Sequence, residues 1–310
     1  MRAAQQRPRQ PHPHLVSHRL NTRASFGHDA PMTPRLSIFA AALALVSACG
    51  APPPPTTGRV ESLGRVASER VGVDYTVSVR LPPDYDASPD ARYPVVYQLD
   101  AEFLGELALM TGHASSLERE GLLPSVIVVG VSRADDPGDP TTRMIDFAPP
   151  PLEAGSRSTG RADRFFAFLT EELGPRIDAA YRTDVTQRVL SGHSLGGLFA
   201  LYAFFRDEPS PYFAHVIAAD PSMGQDGGVI FGEESRRAAR SSSRPGSLLV
   251  TAARFTGAAQ IALVSELVTR VEGRGHEGLR VRGDVLEADH GGAIGPSMRQ
   301  GLLFSLGAAR

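Results

Sequence analysis

The chain has one cysteine, Cys49, and no tryptophan among its 310 residues. A single thiol excludes a disulfide within the chain and any multi-cysteine metal cage. Charge of one sign is also missing, because 32 basic residues face 34 acidic ones for a formal net charge of −2. That balance gives no electrostatic footprint for nucleic acid. His, Cys and carboxylate residues do not cluster at metal-ligand spacing, and no glycine loop runs into Lys-Ser or Lys-Thr. Neither a metal nor any other cofactor is therefore implied. What is present is 42% hydrophobic content, which can bury a sizeable core and reads as a soluble globular domain.

The N-terminus departs from that reading. Residues 1–31 are rich in Arg, Pro, Gln and His without apolar periodicity, as expected of a disordered stretch or of an upstream segment wrongly assigned to the chain. Met32 then opens a second beginning, with Arg35 before the apolar segment Leu36 to Val46. The segment is too short to span a membrane and reads as a signal peptide. It ends in Val46-Ser47-Ala48-Cys49, which resembles a bacterial lipobox, so residues 32–49 are expected to be a lipoprotein signal with Cys49 as the lipidated residue. Residues 50–58, with four consecutive prolines from Pro52 to Pro55, then form a stiff extended tether. On this reading the protein is exported and held at a bacterial membrane by an N-terminal lipid anchor, in the periplasm or at the cell surface.

From 59 to 310 there is no repeat, long charge run or break in composition, so a single domain is expected. Tyr75 to Leu81 alternates as an early strand, whereas Pro94 to Leu99, Ser125 to Val131 and Gln187 to Ser191 are continuous apolar runs. Continuous apolarity suits parallel strands covered on both faces. Phe165, Phe166, Leu169, Leu173 and Ile177 recur at helical spacing within 162–180. Further strands are expected at 215–219, 247–252 and 279–283, with helices at 258–271 and near 297–306. The basic, serine-rich stretch 236–244 reads as a solvated loop, and 132–161 as a long loop capping the site. Strict alternation with right-handed crossovers makes an α/β three-layer sandwich, its site at the carboxyl ends of a mostly parallel sheet.

Gly192-His193-Ser194-Leu195-Gly196-Gly197 joins one of those strands to the helix-like run Leu198 to Phe205. Glycines at a sharp strand-to-helix turn let a serine hydroxyl project above the sheet, with the helix amides aimed at developing negative charge. This is a nucleophile elbow with Ser194 at its apex. A serine at its free pKa is a poor nucleophile and needs a base within reach. His290 fits, since it follows the last strand in the glycine-rich loop Asp289-His290-Gly291-Gly292. His193, His215 and His276 are poorer candidates, and His113 is left unassigned. No carboxylate follows the strand 247–252 in Ala252 to Gly257, and Glu266 lies inside a helix. Asp220, after the strand 215–219, is the better candidate acid, while a Ser-His dyad remains open.

Nearly the whole domain resembles the Putative esterase family of α/β-hydrolases, which includes esterase D-like enzymes and siderophore esterases. The matching segments are Tyr93 to Asp100, Arg143 to Pro149, the elbow through Tyr202, and Ala219-Asp220-Pro221-Ser222. The tail Asp289 to Gly292 with Ser297 to Leu303 is most similar to enterobactin-type trilactone esterases. The resemblance implies an α/β-hydrolase fold and hydrolysis of carboxylic esters through an acyl-serine. It implies an oxyanion hole from the Leu195 amide and a second amide, that of Ala101 or Glu102, where the family often has glycine at 101. It also implies a substrate role for Arg133, where siderophore esterases carry a basic residue, and leaves Arg143 and Asp146 to pair internally. The expected substrate is a small-molecule ester, with a ferric-siderophore lactone favoured. The alternatives are a general acyl, feruloyl or acetyl esterase, and a degenerate hydrolase that binds without turnover.

Overall fold

A computed structural model of the chain describes residues 58–150, 160–206, 211–224, 227–240 and 242–307. The segments read above as an upstream stretch, a lipoprotein signal and the tether lie, but for Gly58, outside the described residues.

Eight strands form one sheet: β1 (Arg59–Ala67), β2 (Asp74–Leu81), β3 (Tyr93–Leu99), β4 (Ile127–Arg133), β5 (Thr183–His193), β6 (His215–Ala219), β7 (Ser243–Ala253) and β8 (Glu277–Leu286). Their spatial order is β1-β2-β4-β3-β5-β6-β7-β8. β1 and β2 are antiparallel, β2 is antiparallel to β4, and every later pair is parallel. Helices α1 (Glu106–Arg119), α2 (Pro140–Phe147), α3 (Ala162–Ala167), α4 (Gly174–Ala180), α5 (Leu195–Arg206), α6 (Val229–Ala238), α7 (Ala258–Gly273) and α8 (Ile294–Leu306) fill the connections. A π-helical turn, Phe168–Leu173, joins α3 to α4, so 162–180 runs as one helical stretch, as its spacing predicts. None of the helices among the described residues is long and apolar enough to cross a membrane.

Side-chain parity explains the three layers. In β3, Val95, Tyr97 and Leu99 join the larger core with Phe165, Leu169 and Phe199, while Val96 joins Met110, Leu117 and Met298 beneath α1 and α8 on the other face. A strand buried on both faces has no polar side to show, hence its continuous apolar run. Chain order reverses beside β3, which runs to β4 on one side and is flanked by β5 on the other. Connections therefore diverge there and leave a crevice at the carboxyl ends of β3 and β5.

Several elements depart from the sequence reading, the helix α1 among them. The first strand, β1, was not anticipated because its burial is sparse, with only Val66 well buried. Within the stretch read as a solvated loop, Arg237 lies in the last turn of α6 and Arg244 in β7, and both are almost fully buried, although Arg236, Arg240 and Ser242 are exposed. Arg244 donates to the Phe213 carbonyl at 2.9 Å and stacks on Phe204, so aromatic and carbonyl partners take a cation that spacing alone assigned to solvent. Within the expected cap, 140–147 is helical, with Asp139 accepting from the Thr141 amide as its N-cap.

Candidate active site

Ser194 stands between β5 and α5 with φ of 59°, a left-handed conformation that a serine adopts only under external constraint. Its neighbours supply the constraint. The Ser194 amide donates to the Ala219 carbonyl (3.0 Å), and its carbonyl accepts from Leu198 (3.0 Å) and Ser222 (2.9 Å). A Cβ on Gly192 would lie 2.3 Å from the Gly196 carbonyl oxygen, and one on Gly196 would lie 2.9 Å from Asp100 Oδ2. Those two glycines are therefore required by close approach. The helix α5 starts at the next residue, Leu195, so Ser194 stands at a strand-to-helix turn.

His290 and Asp220 meet beside it. His290 Nδ1 lies 2.6 Å from Asp220 Oδ2, with the imidazole side chain 45% exposed and the carboxylate fully buried. Asp220 has φ of 38°, so it too is held in a strained conformation by what surrounds it. Its amide donates to the Thr251 carbonyl at 3.1 Å. Burial pushes the Asp220 carboxyl up, but hydrogen bonds from His290, Thr256 and the Ala253 amide outweigh it and hold the group below the usual range. An ionised acid on Nδ1 fixes the tautomer that leaves Nε2 to accept a proton. The end of β7 thus contributes no carboxylate but two donors, the Ala253 amide (3.1 Å) and the Thr256 hydroxyl (2.7 Å), that hold the acid offered by β6.

His290 is tied to the elbow through its neighbour. His193 Nε2 donates to the His290 carbonyl at 2.9 Å, and the two rings sit 4.3 Å apart. Ser222, in the loop that carries Asp220, places its hydroxyl 3.2 Å from Ser194 Oγ. In the sequence Ser222 carries no signal beyond its place in a motif, and the stretch holding Thr256 shows only that it lacks an acid. His113 lies in α1, with its Nε2 close to Gly295 of α8.

The loop after β3 and its surroundings place three groups otherwise than expected. Arg143 does not pair with Asp146. Its Nε and Nη2 grip Asp100 Oδ1 and Oδ2 at 2.9 and 2.8 Å, a bidentate pair buried under Phe103. Asp146 instead takes Arg133 Nη1 (3.1 Å) and the Tyr75 hydroxyl (3.0 Å). Arg133, expected to face substrate, is thereby drawn into an internal ion pair with its side chain only 15% exposed. As for the second oxyanion donor, the Ala101 amide is spent on the Val131 carbonyl (3.2 Å), prolonging the β3–β4 ladder. The Glu102 amide donates to Ser132 Oγ at 2.8 Å, an acceptor that can rotate away. The Leu195 amide lies in the first turn of α5, where a helix offers its amides no acceptor.

A family model described as Putative esterase matches residues 68–254. The chain is 34% identical over 149 residues to the ferri-bacillibactin esterase BesA of Bacillus subtilis, covering 44% of this chain and 50% of BesA. It is 27% identical to the siderophore enterobactin esterase of Emericella nidulans, covering 81% of this chain and 95% of that one. The matched stretch thus spans about half of BesA and nearly all of the fungal relative. Among solved structures, an IroE-like serine hydrolase from Shewanella oneidensis superposes with a TM-score of 0.66 at 25% identity, covering 79% of each chain.

Proposed function

This chain belongs to the Putative esterase family, and from that premise we propose that it is a serine esterase working through an acyl-serine at Ser194. The observation that carries the reading is the buried, ionised Asp220 on Nδ1 of a half-exposed His290, beside a serine held at positive φ. In the reaction, His290 takes the Ser194 proton as the hydroxyl attacks the ester carbonyl, and the developing imidazolium is stabilised by Asp220. The oxyanion draws on the Leu195 amide and on the Glu102 amide once Ser132 Oγ turns away. Collapse expels the alcohol, which takes its proton from His290, and water then deacylates the serine by the same route.

The substrate class is a siderophore ester, a trilactone above all. The supporting observation is that relatives matching over 44% and 81% of the chain are esterases of siderophores. A general acyl, feruloyl or acetyl esterase is the second reading, favoured by the engagement of Arg133 with Asp146, which removes one expected anchor for an anionic substrate. Export and a lipid anchor at Cys49 complete the proposal, resting on the lipobox-like Val46-Ser47-Ala48-Cys49 alone.

The test is hydrolysis of a short-chain nitrophenyl ester and of a ferric catecholate trilactone by wild type and Ser194→Ala. Turnover of both, lost in the variant, supports the serine mechanism and the siderophore substrate. Turnover of the simple ester alone moves the substrate to the second reading, and turnover that survives the substitution rejects the mechanism.

A further inference from the structure

Behind His290 lies a buried polar chain that acyl transfer, as described, leaves unused. His193 Nε2 faces a carbonyl oxygen, which can only accept, so the imidazole proton is on Nε2. In the neutral ring Nδ1 is then a bare acceptor. That atom is fully buried and has no hydrogen-bond partner among the described residues, and the same is true of Glu106 Oε1. The two lie 3.8 Å apart, about 0.8 Å beyond a normal N···O contact. Glu106 opens α1 with zero exposure, and its other oxygen accepts from Gln98 Nε2 at 2.8 Å. Two bare acceptors facing each other in a dry site would each be left unsatisfied.

A proton between them resolves the conflict, either as carboxylate with imidazolium or as carboxylic acid with neutral imidazole. The surroundings choose. Asp100 and Arg143 are the charged groups that face Glu106, and Arg143 is already neutralised by its bidentate grip on Asp100. Burial drives Glu106 well above the usual carboxyl range, with the Asp100 charge adding to it and Arg143 and Gln98 opposing. Burial, followed by the neighbouring His290, drives His193 down to about 4. Each shift favours the uncharged partner, as expected where desolvating two ions costs more than their attraction returns.

We propose that Glu106 is a positioning residue: as a neutral carboxylic acid it donates to His193 Nδ1, and His193 in turn pins the His290 backbone so that the imidazole keeps its place beside Ser194. This rests on His290 being the catalytic base. The chain Gln98, Glu106, His193, His290 links β3, α1, β5 and the loop before α8; its first and last contacts are hydrogen bonds, and the shared proton closes the middle one, where the two atoms lie 3.8 Å apart, without a net charge behind the base.

The test compares Glu106→Gln, Glu106→Ala and His193→Phe in the whole protein, using nitrophenyl ester kinetics across pH and difference infrared spectra of wild type against Glu106→Gln. A carboxamide can donate to Nδ1 and accept from Gln98, so Glu106→Gln is expected to keep kcat within about threefold and leave the acid limb of the kcat/KM profile unmoved. Glu106→Ala and His193→Phe should lower kcat by up to about a hundredfold with KM within about twofold, since misplacing a base by an ångström costs that much. The protonated-carboxyl carbonyl band should be present in wild type and absent from Glu106→Gln. Normal kinetics in Glu106→Ala would overturn the proposal, as would a shifted acid limb in Glu106→Gln, which would mean a carboxylate. Should wild type hydrolyse nothing, the esterase reading fails on its own, and the infrared band still decides: its presence supports the neutral acid and its absence overturns it.

Discussion

The sheet carries a serine-histidine pair towards each end of its parallel strands, and only one of them has the arrangement that the proposed chemistry needs. At the amino ends, His215 opens β6 with Nδ1 2.9 Å from Ser247 Oγ and Nε2 3.1 Å from Gln187 Oε1. Ser247 is wholly buried within β7 and bonds onward to Ser305 at 3.0 Å. At the carboxyl ends, Ser194 sits on a strained turn at a helix start and His290 keeps nearly half its side chain in solvent against a buried carboxylate. The first arrangement satisfies both nitrogens with neutral groups, and burial drives His215 down to about 4, where it cannot serve as a base at neutral pH. The second leaves one nitrogen for the reaction and supplies a charge to stabilise the imidazolium. Residue type is shared by the two pairs; strand polarity, backbone strain and a charged partner separate them.

The comparison breaks most completely at Ser194. Ser194→Ala should reduce ester hydrolysis by about 10⁴-fold or more while leaving the fold intact, whereas Ser247→Ala should change kcat/KM by less than about threefold. Both are read by steady-state kinetics with circular dichroism as the folding control. Next comes Asp220→Asn, which keeps the shape but removes the charge from Nδ1. It should lower kcat by about 10³- to 10⁴-fold, and a loss below tenfold would favour a Ser-His dyad.

Acid stability sharpens the contrast in a different way. His193 and His215 are each buried neutral near 4 against about 6.5 in the unfolded chain. Both folded values are depressed, so between about pH 6.5 and 4 the unfolded chain binds more protons and stability falls as pH falls, by up to about 2.7 kcal/mol per pH unit for the two together. Urea denaturation across that window should show His215→Gln reducing the slope by about half and leaving hydrolysis within about twofold. Asp220 adds to acid loss only at lower pH, because its depressed group contributes stability that is fully present above the unfolded value of about 3.9 and lost on falling through the folded one. Far smaller than the losses at Ser194 and Asp220 is the effect expected at Ser222, where Ser222→Ala removes a hydroxyl 3.2 Å from Ser194 Oγ and should change kcat by no more than about fivefold.

Much of this was legible in the residues. Parallel strands announce themselves by unbroken apolar runs, and β6 appears at the five positions its composition predicts. The elbow was legible because its glycines answer to local sterics, which a linear motif can encode. Asp220 was readable as a candidate and no more, since its partnership with His290 spans 70 positions and depends on donors from the end of β7. The ion pairs were opaque for the same reason. Arg143 and Asp146 are neighbours on one helix, yet each finds its partner at the end of a strand, Asp100 43 positions away for one and Arg133 13 positions away for the other. Backbone amides are harder still, because Ala101 and Glu102 looked equivalent until the β3–β4 ladder claimed one and a serine hydroxyl the other.

The most direct test of the account is to label the folded protein with a fluorophosphonate and map the adduct by mass spectrometry. A single adduct on the peptide containing Ser194, lost in Asp220→Asn at matched exposure, is the predicted result. An adduct on Ser247, or no adduct on a folded wild-type protein, would contradict it.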